Sequence, residues 1–309
     1  MAIRLGLSLP QMRQYDLGRD VPDVARAAEQ VGYESLWVFE RALFPEPATQ
    51  GLYGVEGLPW PDFYRHVADP LVTLTLAAAA TERARLGSSV LVAPLHVPFQ
   101  LAKALASLDA ASGGRVLAGF GTGWSLDEYA AASVRPFEER GQVLDELIEV
   151  CRAVWGPDPV RYDGRVTKIE SAVVGPKPAR PIPILLAASS PKAMRRLVDH
   201  ADGWLPVGMG SDQVAAQLRQ LRDLAAERGR ERPIQTVLRV NAQYSAKAYD
   251  GADRQPFQGN ADQIVEDLVP YAGIDLEEIM IDLQITPRDA EELKDAAAQV
   301  YEKARAAGV

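Results

Sequence analysis

The feature that most constrains this chain is an even alternation, sustained from end to end, of short β-rich runs with helical patterns. Eight runs read as strands, over 3–9, 35–39, 84–92, 115–119, 184–187, 203–206, 236–243 and 278–283. Helical patterns follow nearly all of them, over 20–31, 70–81, 98–111, 136–155, 191–200, 212–228, 261–272 and 287–307. Leu101, Leu105 and Leu108 form the stripe of an amphipathic helix, and Leu144, Leu147, Ile148, Cys151 and Trp155 form another. Pro22 suits a first helical turn, while Gly32 and Gly113-Gly114 supply C-terminal stops. A doubly wound sheet seldom runs so evenly to eight, so the pattern predicts an α/β fold, one closed (β/α)8 TIM barrel forming a single domain over 1–309. Two stretches break the rhythm. Segment 40–66, after strand two, is rich in glycine and proline and about twice as long as an ordinary connection. Segment 157–183, before strand five, carries six prolines and a hairpin-like Tyr162-Asp163-Gly164, and reads as an insertion over the barrel.

Several function classes fall away. With 33 Lys plus Arg against 42 Asp plus Glu, the net charge is −9, and no basic run is long enough for a nucleic-acid backbone. The single cysteine, Cys151, allows no intrachain disulfide and no thiolate metal cluster. No stretch approaches the roughly 20 apolar residues of a membrane span, and the start of the chain lacks a signal-peptide core, so a cytoplasmic protein without membrane contact is expected. The three histidines, His66, His96 and His200, lie too far apart in sequence to suggest a metal site, and none is expected. A Schiff-base lysine would project from a strand end, yet the nearest candidates, Lys192 and Lys247, fall in loop or helix-start positions. Glu40, Asp127, Glu128 and Asp282 could supply a glycosidase pair, but nothing in the sequence fixes their separation.

In such a barrel the chemistry sits on the loops that follow the strands. After strand four comes Gly119-Phe120-Gly121-Thr122-Gly123-Trp124. Alternate glycines let backbone approach a flat ligand and a tryptophan can wall its pocket, although a tight turn beside a core tryptophan gives the same pattern. After strand five, Ala187-Ala188-Ser189-Ser190-Pro191-Lys192 offers a capped helix start whose amides would attract a phosphate, or a plain N-cap.

Across nearly the whole chain these segments resemble the bacterial luciferase-like superfamily of flavin and deazaflavin oxidoreductases, and more narrowly its actinobacterial members that use coenzyme F420. The resemblance rests on the opening Arg4-Leu5-Gly6-Leu7-Ser8-Leu9-Pro10, on Gly32 to Val38, on Thr81 to Leu91, on Leu108-Asp109 with Gly113-Gly114-Arg115, on Gly119 to Trp124 with Glu128, on Glu139-Arg140-Gly141, and on Ala201-Asp202-Gly203-Trp204. It implies a deazaflavin, or alternatively FMN, across the C-terminal mouth of the barrel. A non-proline cis peptide at Ser89-Val90 would back the ring. Glu40, Ser89, Val90, Gly121, Thr122, Gly123 and Trp124 would contact the cofactor, and the backbone of Ala188, Ser189 and Ser190 its phosphate.

One departure matters. Several relatives carry Asp-His directly after strand two, where this chain has Glu40-Arg41. A guanidinium is no general base near neutral pH, though it can hold an anion or stabilise negative charge. Acid/base duty must move elsewhere, and the catalytic candidates are Glu40, Arg41, His96 and Glu128, with His66 in the long loop. A lone histidine such as His96 serves equally as a pocket wall. The resemblance implies hydride transfer between F420 and a small organic substrate; an FMN-dependent monooxygenase and a non-catalytic cofactor-binding protein are the alternatives, and a homodimer, common among relatives, is suggested by the resemblance alone. An acidic chain that holds the phosphate and oligoglutamate tail of F420 needs a locally basic groove, expected at Arg41, Lys192 and the amides of 188–190.

Overall fold

A computed structural model of the protein describes residues 3–133 and 135–309. The strands are β1 (Arg4–Ser8), β2 (Ser35–Val38), β3 (Arg85–Ser88), β4 (Leu91–Val92), β5 (Val116–Gly121), β6 (Val160–Asp163), β7 (Lys168–Ala172), β8 (Ile184–Leu186), β9 (Gly203–Trp204), β10 (Gln235–Asn241), β11 (Gln243–Tyr244), β12 (Gln258–Gly259) and β13 (Glu278–Asp282). The helices are α1 (Leu17–Val31), α2 (Pro70–Ala80), α3 (Pro98–Ser112), α4 (Leu126–Ala132), α5 (Arg140–Trp155), α6 (Pro191–His200), α7 (Ser211–Glu227), α8 (Ala261–Leu268) and α9 (Ala290–Ala306). The main sheet runs β3-β2-β1-β13-β10-β9-β8-β5-β4, and β3 also pairs with β5, which closes it. Every pairing in it is parallel. Because β3 and β4 are two halves of one barrel position, the barrel has the eight positions that the alternation predicts.

The register of the strands sends alternate side chains inward. Trp37, Leu117, Leu185, Leu205, Val237 and Met280 form a compact cluster inside the barrel. Below it, at the N-terminal ends of the strands, Glu278 is fully buried. Its carboxylate accepts hydrogen bonds from Trp37 Nε1 at 2.8 Å and from the Ser35 hydroxyl, and pairs with the Arg85 guanidinium. A larger apolar layer between strands and helices surrounds the barrel, and Cys151 lies fully buried in it on α5.

Several elements differ from the sequence pattern. α1 starts before Pro22, because Asp16 caps it by accepting the Arg19 amide at 2.8 Å; Pro22 therefore lies inside the helix rather than in its first turn. The run 84–92 is not one strand but two, parted at Ser89-Val90. Gly119 to Gly121 belong to β5 and not to the loop after it. The short α4 was hidden in the polar stretch behind Trp124, where Ser125 caps it by accepting the Glu128 amide. Segment 157–183 does contain a hairpin, β6–β7. It lies along the outer side of α5 instead of over the barrel: Tyr162 donates to Glu149 at 2.8 Å and Arg165 reaches Gln142 at 2.7 Å. No helix among the described residues is long and apolar enough to cross a membrane.

Candidate active site

The C-terminal ends of the strands carry three carboxylate–base pairs, each assembled from distant parts of the chain. The first joins Glu40, just past β2, to His96, in the turn after β4. Glu40 Oε1 lies 2.8 Å from His96 Nε2, and Glu40 Oε2 accepts the Val92 amide. Glu40 is 9% exposed as a residue and the imidazole 22%, so the carboxylate is fixed and the ring keeps an open side.

The second pair joins Arg41 Nη1 to Glu128 Oε2 at 3.1 Å, with side chains 9% and 2% exposed. The other oxygen of Glu128 accepts the Ala42 amide at 2.7 Å. Burial pushes the Glu128 carboxyl above the usual range; Arg41 opposes that shift, and nearby Glu40 adds to it. Three rings enclose the Arg41 guanidinium, those of Trp124 at 4.8 Å, Tyr64 at 5.1 Å and Trp60 at 5.4 Å. Segment 40–66 is thereby laced to the start of α4: Thr49 bonds Asp127, Gln50 Nε2 donates to the Trp124 carbonyl at 2.6 Å, and Trp60 packs on Trp124 with ring centroids 4.8 Å apart.

The third pair was not foreseen from sequence. Arg239, on β10, bonds Asp282 Oδ2, on β13, at 2.6 Å and donates to the Ser89 carbonyl, also at 2.6 Å. Asp282 Oδ1 accepts from Gln284, Gln284 accepts the Gln11 amide at 2.9 Å, and Gln11 grips both backbone groups of Phe39. This buried chain ties the ends of β1, β2, β3, β10 and β13 together. A signal existed in the sequence: inward parity on β10 runs Val237, Arg239, and on β13 Glu278, Met280, Asp282, so charged side chains alternate with the apolar inner cluster.

The Ser89–Val90 peptide is cis, as the resemblance implies. The glycines opposite it serve the strands themselves. A Cβ on Gly119 would fall 1.8 Å from the Ser88 carbonyl oxygen, one on Gly121 would fall 2.6 Å from Val90 Cγ2, and one on Gly123 2.5 Å from Val92 Cγ1. Positions 119, 121 and 123 thus receive 88, 90 and 92 in turn, and the space beside Gly121 and Gly123 is filled by valine. Val90 is half-buried and packs against the inner apolar cluster from the mouth side. Trp124 is no core residue; it is half-buried among the rings over Arg41.

Beside this platform, between the ends of β5 and β8 and the starts of α5 and α6, runs a cleft of about 210 Å³ lined by Thr122, Ser190, Lys192, Arg140, Arg196 and Glu138 among others. Ser190 caps α6 by accepting the Ala193 amide at 3.2 Å, and Ser189, Ser190 and Lys192 are exposed. Ala188 is buried, its carbonyl accepting Trp204 Nε1 at 2.9 Å. Of the cations expected in a basic groove, Lys192 is here and Arg41 is not, since Glu128 and the rings hold it; Arg140 lines the cleft as well, and Arg196 reaches it while paired with Asp145. Among the predicted acid/base residues, Glu40, Arg41, His96 and Glu128 share one corner. His66 does not: it is exposed on a separate cleft with Pro10, Met12 and Tyr15. No group of three or more His, Cys, Asp or Glu among the described residues is placed to hold a metal ion.

Comparison with known proteins adds the following. The family model described as luciferase-like monooxygenase matches residues 6–305. An uncharacterised protein of Mycobacterium tuberculosis is 36% identical over 220 residues, covering 70% of this chain and 77% of that protein. The F420-dependent glucose-6-phosphate dehydrogenase of Amycolatopsis mediterranei is 30% identical over 190 residues, 60% of this chain but only 53% of that enzyme. A monooxygenase from Streptomyces bottropensis has the same fold, with a TM-score of 0.77 at 21% identity over 97% of this chain and 98% of that one.

Proposed function

The chain belongs to the luciferase-like monooxygenase family of oxidoreductases, and from that premise we propose that it is an F420-dependent oxidoreductase passing a hydride between the deazaflavin and a small organic substrate. The observation that carries this reading is the platform at the β3–β4 break. Val90 is held from below by the inner cluster and from beside by Gly121, while Arg239 pins the Ser89 carbonyl. That presents Val90 at the barrel mouth, with a polar, cation-lined cleft alongside.

The residues fit such a cofactor. Ser89, Val90, Thr122 and Trp124 would flank the ring, and Glu40 would stand at its edge. Ala188, Ser189 and Ser190, with Lys192 and Arg140, would receive the phosphate and the acidic tail. Gly121 and Gly123 act through the valines they accommodate. A bound deazaflavin supplies hydride acceptance and donation; what the chain adds is positioning and exclusion of water. The kinship at 30% identity to an enzyme named F420-dependent supports the deazaflavin over FMN.

Binding titrations decide the point. The expected result is a saturable change in F420 fluorescence with weak or no FMN binding. Tight FMN binding with no F420 affinity would overturn the reading in favour of an FMN-dependent monooxygenase.

A further inference from the structure

Glu40 and His96 lie 56 positions apart, on different β/α units, and the fold nevertheless brings Oε1 and Nε2 to 2.8 Å. Glu40 is fixed at three points: its amide donates to the Val90 carbonyl at 3.2 Å, Oε2 accepts the Val92 amide, and Oε1 meets the imidazole. A carboxylate can only accept here, so Nε2 donates to Glu40 and Nδ1 is the ring nitrogen left to exchange a proton. The only side-chain bond of His96 among the described residues is this one through Nε2, and the side chain is 22% exposed, joined to the Val90 platform through Glu40.

The other titratable groups of this corner are committed. Both oxygens of Glu128 are engaged, by Arg41 and by the Ala42 amide. Arg41 is enclosed by three rings. Arg239 divides its donors among Asp282, Ser89 and Asn241.

We propose that His96 is the proton-transferring catalytic residue of this site and Glu40 its positioning residue. The substrate class that matches is an alcohol and its carbonyl partner, in which the carbon exchanges a hydride while the attached oxygen exchanges a proton. In the oxidising direction the C–H bond breaks and its electron pair leaves with the hydrogen for the deazaflavin. The O–H bond breaks with its proton going to His96 Nδ1, and the C–O bond becomes C=O. One hydride and one proton leave the alcohol, and the reverse direction returns both. The assignment rests on the deazaflavin reading above. It places in the turn after β4 a duty that the sequence pattern of relatives places directly after β2.

Two measurements test it. The first needs no substrate: with only three histidines in the chain, ¹⁵N-histidine spectra resolve each ring, and His96→Gln assigns the signal. Oxidised F420 is expected to perturb the His96 imidazole and leave His66 and His200 unchanged; a perturbation that spares His96 would overturn the placement. The second supplies oxidised F420 with a panel of primary and secondary alcohols. For an alcohol that the wild type oxidises, His96→Ala should lower kcat about 100-fold or more, within the usual range for a lost general base, with F420 affinity held within twofold and partial rescue by added imidazole. Glu40→Gln should lower kcat about tenfold and move the acid limb of the pH–rate profile. Wild-type kcat and pH profile in His96→Ala would overturn the assignment, and wild-type oxidation of no alcohol would overturn the substrate class. Absence of F420 binding by the wild type would instead sink the cofactor reading, a failure the fluorescence titration shows by itself.

Discussion

Both ends of the barrel bury carboxylates against bases, and the two ends use them differently. At the N-terminal end a single acid, Glu278, gathers the Ser35 hydroxyl, the Trp37 indole and the Arg85 guanidinium around itself beneath the apolar cluster. All of these partners sit on strands, and the group acts as a plug. At the mouth three acids are each matched to one base, and every pair also holds backbone at or just past a strand end: Glu40 the Val92 amide, Glu128 the Ala42 amide, and Arg239 the Ser89 carbonyl. A buried ion pair is weak evidence for net stability, because desolvation consumes much of the attraction. What the mouth gains from its pairs is the placement of peptide groups, and the same chemistry that closes one end shapes a site at the other.

The sharpest way to break this contrast is Glu278→Ala. It takes the buried acceptor away from the Ser35 hydroxyl, leaves the Trp37 N–H with the Ser35 oxygen alone and unpairs Arg85, whose side chain is 26% exposed, and is expected to cost about 3 kcal/mol by urea unfolding, while F420 affinity of the folded fraction stays within twofold. A parallel fall in affinity would mean that the ends are not independent. Arg41→Ala leaves Glu128 without its cation and the three rings without their guest. Because water can enter when segment 40–66 loosens, the expected cost is smaller, about 2 kcal/mol, accompanied by faster proteolysis within 40–66. Gly121→Ala drives a methyl into Val90 and should cost about 1–2 kcal/mol while weakening F420 binding roughly tenfold; unchanged affinity would remove Val90 from the platform. The smallest effect is electrostatic. Burial raises the Glu128 carboxyl, so the folded state favours its acid form more than the unfolded state does, and its contribution to stability declines as pH rises from the ordinary glutamate range through the raised one. Glu128→Gln should flatten that decline in a comparison of unfolding curves between pH 4 and 7, and a wild-type slope in the variant would refute it.

The fold was legible because its signal is local and repeated: each β/α unit declares itself by its own periodicity and stops. The break between β3 and β4 was legible only through resemblance, since Ala84 to Val92 reads as one buried strand. The site was half legible. Glu40, Arg41, His96 and Glu128 could be named from their positions after strands, but not who meets whom, because the partners lie 56 and 87 residues apart. The glycines of 119–123 pointed to close approach and left open what approaches; it is the strand opposite. Arg239 went unnoticed because a lone arginine in an apolar strand looks like a surface position until the inward parity is counted. The hairpin of 157–183 was visible from its turn residues, while the helix face that receives it depends on Glu146, Glu149 and Gln142 of α5, which look like ordinary solvated side chains.

The lacing of segment 40–66 bears on how such a protein could be remodelled. Arg41, Thr49, Gln50 and Trp60 all fasten to residues 124–128, and Glu128 relies on Arg41 in return. The two stretches therefore form one exchangeable cassette with a single internal lock. Transplanting the long segment alone from a relative would set a buried acid against an unmatched side chain, whereas moving both stretches together carries lock and key at once; Glu40, whose amide bonds the Val90 carbonyl, has to stay with the host if the platform is to keep its support.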